Sequence, residues 1–294
     1  MRRERRREAL WAHLFLAPWF VGLLVLVLGP LLMSLSVSFT DFDLLTAPRW
    51  TGLSNYTRML HDETFWQSLK VTFVYVLVGV PLELAFALAV AVGLNRGLRG
   101  SDFYRSVLYL PSLFGGSVAV AVLWRQVFGG TGLVNQLLSV VGIHGPAWIS
   151  TPSTALSTLI VLEVWQFGAP MVIFLAGLRQ IPRVYYEAAA VDGASRWRTF
   201  RSVTMPLLSP IVFFNLVLRI IGSFQAFTPA YIISGGSGGP SDSTMFYTLY
   251  LYQEGFTNYR MGYASALAWV LVVIIAIFTG INFVAGRRWV HYEA

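Results

Sequence analysis

Cysteine is absent from the 294 residues, so neither a disulfide nor a thiolate metal site can form. Lysine is nearly absent, with Lys70 the only one. A phosphate-cradling P-loop needs a glycine-rich turn that ends in Lys-Ser or Lys-Thr, so that the amine reaches the phosphates. Ser68 and Leu69 precede Lys70, so the sequence has no such loop. Charge is scarce as well. Charged residues make up 12% of the chain, against about 25% in an ordinary soluble domain. Hydrophobic residues reach 56% and the mean hydropathy is +0.63. That is more apolar surface than a water-facing globule could bury. His13, His61, His144 and His291 show no metal-ligand spacing, and no Ser–His–Asp set stands in a plausible context. Nothing in the residues argues for an enzyme acting alone.

Long apolar runs are what the chain has instead. A bilayer-spanning helix needs about 20 mostly apolar residues. Six such runs occur, at 12–39, 72–94, 106–124, 155–178, 203–233 and 262–286. The first and last carry no Asp, Glu, Lys or Arg. The second holds Glu83, the fourth Glu163 and the fifth Arg219. Within lipid a segment must satisfy its own backbone, so these runs predict helices and an all-α membrane protein. The Arg-rich start reads as an uncleaved first span, because the apolar run is too long for a signal peptide and no small-residue cleavage site follows it.

Arginine sets the orientation. Arg2, Arg3, Arg5, Arg6, Arg7, Arg96, Arg99, Arg105, Arg179, Arg183, Arg196, Arg198, Arg201, Arg287 and Arg288 fall at the termini and in alternate connections. The positive-inside rule then predicts both termini in the cytoplasm. The net charge of +7 therefore marks topology and not a nucleic-acid partner. The glycine-rich stretch at 235–239 reads as a flexible external loop.

One cytoplasmic connection stands out: RQIPRVYYEAAAVDGASRWRTFRSVTMP, residues 179–206. Pro182 suits a first turn, Glu187 lies near a positive helix end, and Ala188 to Ala190 are strong helix formers with little bulk. Gly193 permits a turn. A short helix with a small face can insert into a groove on another protein or lie as an amphipathic helix on the lipid headgroups, and composition alone leaves the two readings near parity. The order Glu187-Ala188-Ala189, three residues, Gly193, nine residues, Val203-x-Met205-Pro206 resembles the EAA motif of ABC-importer permeases. That motif usually ends Ile-x-Leu-Pro, so Val203 and Met205 are conservative departures. LFLAPWFVGLLVLVLGPLLMSLSVSFTDFDL, WTGLSNY, FYRSVLYLPS, MVIFLAGLRQIP and MGYASALAWVL extend the resemblance over nearly the whole chain. It is to the first permease subunit of carbohydrate importers of the maltose and glycerol-3-phosphate type.

The resemblance implies the transmembrane domain of a type I ABC importer in a bacterial or archaeal cytoplasmic (inner) membrane, crossing it many times. It implies an Arg-rich N-terminus at 1–11, a first helix and external loop at 12–65, a permease core at 66–286 and a tail at 287–294. A coupling helix at 184–196 would dock a cytoplasmic ATPase through Tyr186, Glu187, Ala188, Ala189, Asp192 and Gly193. The expected partners are a second related permease, an ATPase dimer and an external binding protein, besides the lipid bilayer. The chain needs no cofactor of its own, since ATP and Mg would sit on the ATPase.

Polar residues inside a span are costly and often line pathways. Asn215, Arg219, Gly222, Ser223 and Ala226 fall on one helical stripe, and Trp165, Gln166 and Ala169 precede Pro170. An aromatic ring beside an amide suits a sugar, with the ring covering C–H faces and the amide binding hydroxyls. In the maltose-type relative the positions matching Arg219, Gly222, Ser223 and Ala226 are lining positions. Gly222 and Ala226 taken singly read better as helix-packing residues. Arg219 either pairs with Glu83 or Glu163 or faces a wet cavity, and its stripe favours the cavity. The leading expectation is import of a sugar or glycoside. Glycerol-3-phosphate or another polar or anionic solute is the alternative. A secondary transporter and a membrane enzyme are weaker, for want of inverted repeats and of a catalytic cluster.

Overall fold

The structure, a computed structural model, describes residues 2–97 and 100–291. Arg99 and the tail from 292 lie outside the described residues, as do the side chains of Arg2, Arg3, Arg5, Arg6 and Arg7. The chain forms two compact units. One holds the residues up to Asp62 together with Leu251–Val270, the other Glu63–Tyr250 with the residues from Leu271 on.

Among the described residues four helical runs are long and apolar enough to cross a bilayer: His13–Val37, Glu63–Leu94, Arg196–Ser234 and Met261–Trp289. Two bent pairs raise the number to six when each counts as one crossing. These sites coincide with the six apolar runs of the sequence. Three of the runs contain a π-helical stretch, at Leu23–Leu28, Tyr75–Gly79 and Phe200–Thr204. A proline lies at or just beyond the end of each: Pro30, Pro81 and Pro206. Proline has no N–H to donate and its ring pushes the preceding turn's carbonyl away, so the helix widens by a residue just before it.

In the first unit the opening helix ends in an antiparallel hairpin, Thr40–Asp41 against Arg49–Trp50. Asn55 ties the hairpin's base by donating to the carbonyls of Ser38 and Thr40, each at 2.9 Å. At the tip Asp43 Oδ1 accepts from the amides of Leu45 and Thr46 and from the Thr46 hydroxyl. The Thr46 bonds hold the Asp43 carboxyl below the usual carboxylate range. Their support for the turn is therefore present at neutral pH and lost as pH falls through that lowered value.

The second unit carries the packed core. Met171, Phe174, Leu175, Leu159, Leu162, Leu208 and Phe224 are almost wholly buried. Lipid tails are as apolar as leucine, so close packing and not water exclusion holds such a bundle together.

Two expected spans are not straight. The run expected at 106–124 is Ser101–Phe114 followed by Val118–Val127, bent by 100°. The break falls at Gly115 and Gly116, where Gly116 takes φ +73°, a conformation that suits glycine. Ser117 then caps the new helix by accepting from the Val120 amide at 3.3 Å. The fourth run is Pro152–Trp165 followed by Gly168–Gln180, bent by 40°. A Cβ on Gly168 would sit 2.7 Å from both the Leu108 carbonyl oxygen and Ser112 Oγ. Gly168→Ala should therefore push these helices apart and cost about 1–3 kcal/mol. Thermal unfolding in detergent checks this, and an unchanged midpoint would refute the close contact.

The glycine-rich stretch at 235–239 is a tied turn. Gly236 N donates to the Tyr231 carbonyl at 2.7 Å and the Thr244 hydroxyl to the Gly238 carbonyl at 2.8 Å.

Candidate functional site: a charged cluster and an exposed loop helix

The apolar stretches 72–94, 155–178 and 203–233, all in the second unit, bring together the one charge that each holds. Glu83 lies just past Pro81 and is wholly buried, and Glu163 near the end of Pro152–Trp165 is 3% exposed. Arg219 sits in Met205–Phe224. Its Nε donates to Glu83 Oε2 at 2.6 Å, and its terminal nitrogen lies 3.7 Å from Glu163 Oε1. Ser223, one turn on, donates its hydroxyl to the same Glu163 oxygen. The Tyr75 hydroxyl lies against Glu163 as well. A Cβ at Gly79 would meet the Glu163 carboxylate, which would have to shift to admit it. The widened turn Tyr75–Gly79 ahead of Pro81 thus delivers both a phenol and a gap to Glu163.

This corrects the preference for an unpaired, cavity-facing Arg219: it pairs with both carboxylates. Its side chain nevertheless stays 30% exposed, so one edge of the guanidinium reaches open space. Two carboxylates serve one guanidinium, and Glu83 Oε1 and Glu163 Oε2 are buried without a hydrogen-bond partner. A charge inside the bilayer is costly unless paired, and its presence there marks function by default.

The rest of the expected stripe divides. Gly222 is exposed with nothing near a would-be Cβ, which leaves open space beside Arg219. Asn215 is 2% exposed and donates back to the Ile211 carbonyl, so it serves the bundle and not a lumen. Ala226 lies past the helix, which ends at Phe224 with Gln225 as its cap, so the stripe does not extend to it. On the fourth run Trp165 is half-exposed, with its ring 5.7 Å from that of Trp124. Gln166 caps the first piece and packs against Gly115, and Ala169 is partly exposed in the second piece.

The loop helix covers Arg183–Val191, shorter than the 184–196 expected. Gly193, at φ +67°, turns the chain, and a new helix starts at Arg196 behind a Ser195 cap. Asp192 and Gly193 thus form the turn and are exposed. Glu187 and Ala188 are exposed. Ala189 is buried in the chain's own bundle and so is not free for a partner. Tyr186 is half-buried, its hydroxyl 3.3 Å from Thr204 Oγ1. Val184 and Val191, both exposed, extend the free face with Ala188 at i, i+4, i+7 spacing. The motif's letters gave no reason to name these valines; the period alone could have found them.

Apolar runs of spanning length, three of which close on a buried charge cluster, define a polytopic membrane protein. The profile of the binding-protein-dependent transport system inner membrane component matches residues 17–291, and the chain belongs to that family. It is thus a multi-pass inner-membrane translocation subunit of a binding-protein-dependent importer, not an enzyme. It is 53% identical over 294 residues to the probable ABC transporter permease protein YesP of Bacillus subtilis (strain 168), covering 99% of this chain and 95% of that one. It is 34% identical over 281 residues to the lactose transport system permease protein LacF of Rhizobium radiobacter, covering 94% and 93%. Its fold matches a chain of a bacterial alginate ABC transporter solved with an alginate pentasaccharide-bound periplasmic protein. The TM-score there is 0.82 at 20% identity, covering 99% of this chain and 98% of that one.

Proposed function

We infer that the chain is one of two related permeases of an ATP-driven importer and that the solute is a carbohydrate. The observation that carries the substrate reading is the relatedness, at 34% and 32% identity, to permeases named for lactose and for trehalose/maltose. The half-exposed Trp165 beside Gln166, and the open space beside Gly222 and Arg219, suit a polyol ring. The exposed edge of Arg219 supports a second reading, in which the solute is anionic. Both termini face the cytoplasm in this reading, and residues 66–286 are the permease core. The loop helix Arg183–Val191 offers Val184, Glu187, Ala188 and Val191 to a separate ATPase that holds ATP and Mg. An external binding protein delivers the solute.

The test is ATP-dependent uptake by the whole importer in proteoliposomes, with labelled neutral disaccharides, acidic sugars and glycerol-3-phosphate. Uptake of a sugar, abolished without the ATPase, is expected. Uptake of glycerol-3-phosphate alone would overturn the carbohydrate reading.

A further inference from the structure

Beside the loop helix, wholly within the second unit, lies a cavity of about 840 Å³. Its apolar wall comes from the last turns of Glu63–Leu94, with Ala85, Ala89 and Val92. Its opposite wall comes from the coupling segment and the start of the fifth run, with Tyr186, Ala190 and Phe200. The rim is different in kind. Arg96 and Arg196 stand there, both exposed, and among the described residues no Asp or Glu lines the cavity. Among the described residues neither arginine pairs with a carboxylate. Trp197 at the mouth is 70% exposed, its ring stacked on Phe200 at 5.7 Å.

An apolar slot under a doubly cationic rim, with an indole at the mouth, has the polarity of an anionic amphiphile. Basic pockets between spanning helices on the cytoplasmic side recognise anionic lipid headgroups, and tryptophan favours the headgroup level. We propose that this cavity binds one anionic phospholipid of the inner leaflet. Its phosphate lies between Arg96 and Arg196, and an acyl chain lies along Ala85, Ala89 and Val92. This rests on the inferred topology, which puts the Arg96 and Arg196 connections on the cytoplasmic side. The lipid touches both the second span and the coupling segment, so it ties the loop helix to the bundle. The importer's coupling then depends on the lipid composition of the membrane.

The experiment uses the complete importer in nanodiscs of phosphatidylcholine with roughly one-third phosphatidylglycerol, and native mass spectrometry of the released complex. One retained phosphatidylglycerol is expected. It should fall about tenfold in R96Q/R196Q, where two phosphate contacts are lost, and stay unchanged in R179Q, an exposed arginine outside the cavity. Equal retention in R96Q/R196Q and wild type would overturn the proposal. Should R96Q/R196Q fail to assemble, Ala89→Phe fills the apolar end without touching the charge; lipid retained in that variant would overturn it too. Displacement of the lipid by millimolar inorganic phosphate would mean an anion site and not a lipid site. The chain has no cysteine, so Ala89→Cys is a unique thiol. Its cross-linking to the second permease would show a protein in the cavity and defeat the lipid. Failure of the underlying topology reads differently. In that case Asn95→Cys would react with an impermeant maleimide from the outside of intact cells.

Discussion

Arg219→Ala should leave little folded subunit in the membrane. The change strands Glu83, which has no exposure, and Glu163, at 3%. Removing one partner of a buried ion pair costs on the order of 3–5 kcal/mol, because the other charge stays buried and uncompensated. A marginal fold has about 5–15 kcal/mol in total. The level of monodisperse subunit after mild solubilisation reads this directly. Adding Glu83→Gln and Glu163→Gln to Arg219→Ala should restore much of that level, since the stranded charges go with their partner. Arg219→Lys should fall between, because an ammonium lacks the planar fork that reaches two carboxylates at once. A full level of Arg219→Ala would show that the cluster holds nothing together. The restored triple variant then tests the cluster for a transport role: reduced or altered uptake in a folded protein belongs to the three charges together.

Ala188→Asp should have the opposite profile, with normal insertion and a normal amount of subunit but an ATPase lost on purification. Ala188 is exposed, so the folded chain pays nothing for a carboxylate there. In a docked groove the same carboxylate is desolvated without a partner, which should weaken association by tenfold or more. Val191→Asp, on the same face and 88% exposed, should behave alike. Uptake and copurification both at wild-type levels would show that this face docks nothing.

The contrast between these variants marks what the sequence could and could not disclose. The six apolar runs, four continuous helical runs and two bent pairs, were legible because a bilayer demands long apolar stretches. The straightness of the third was not. The pair Gly115–Gly116 permits a 100° bend, but the same two glycines could equally pack inside a continuous span. Glu83, Glu163 and Arg219 could be named as the only charges in their runs, yet which faces meet is a property of three separate segments. Helical spacing within the fifth run placed Arg219 beside small residues and so favoured the cavity. It carried no information on the second and fourth runs, whose carboxylates in fact close on it. The stripe also assumed a helix that continues through Ala226, whereas the chain caps at Gln225. In the loop, the motif located the helix, but the expected bounds ran on to 196, past the turn at Gly193 that ends it.

The bend in the third run has a consequence for how far across a bilayer its helix can reach. Its first piece, Ser101–Phe114, has 14 residues, which at 1.5 Å each is about 21 Å. The hydrocarbon slab is about 30 Å thick. That piece alone covers about two-thirds of the slab, and the remaining depth falls to the glycine break and to Val118–Val127, which departs at 100°.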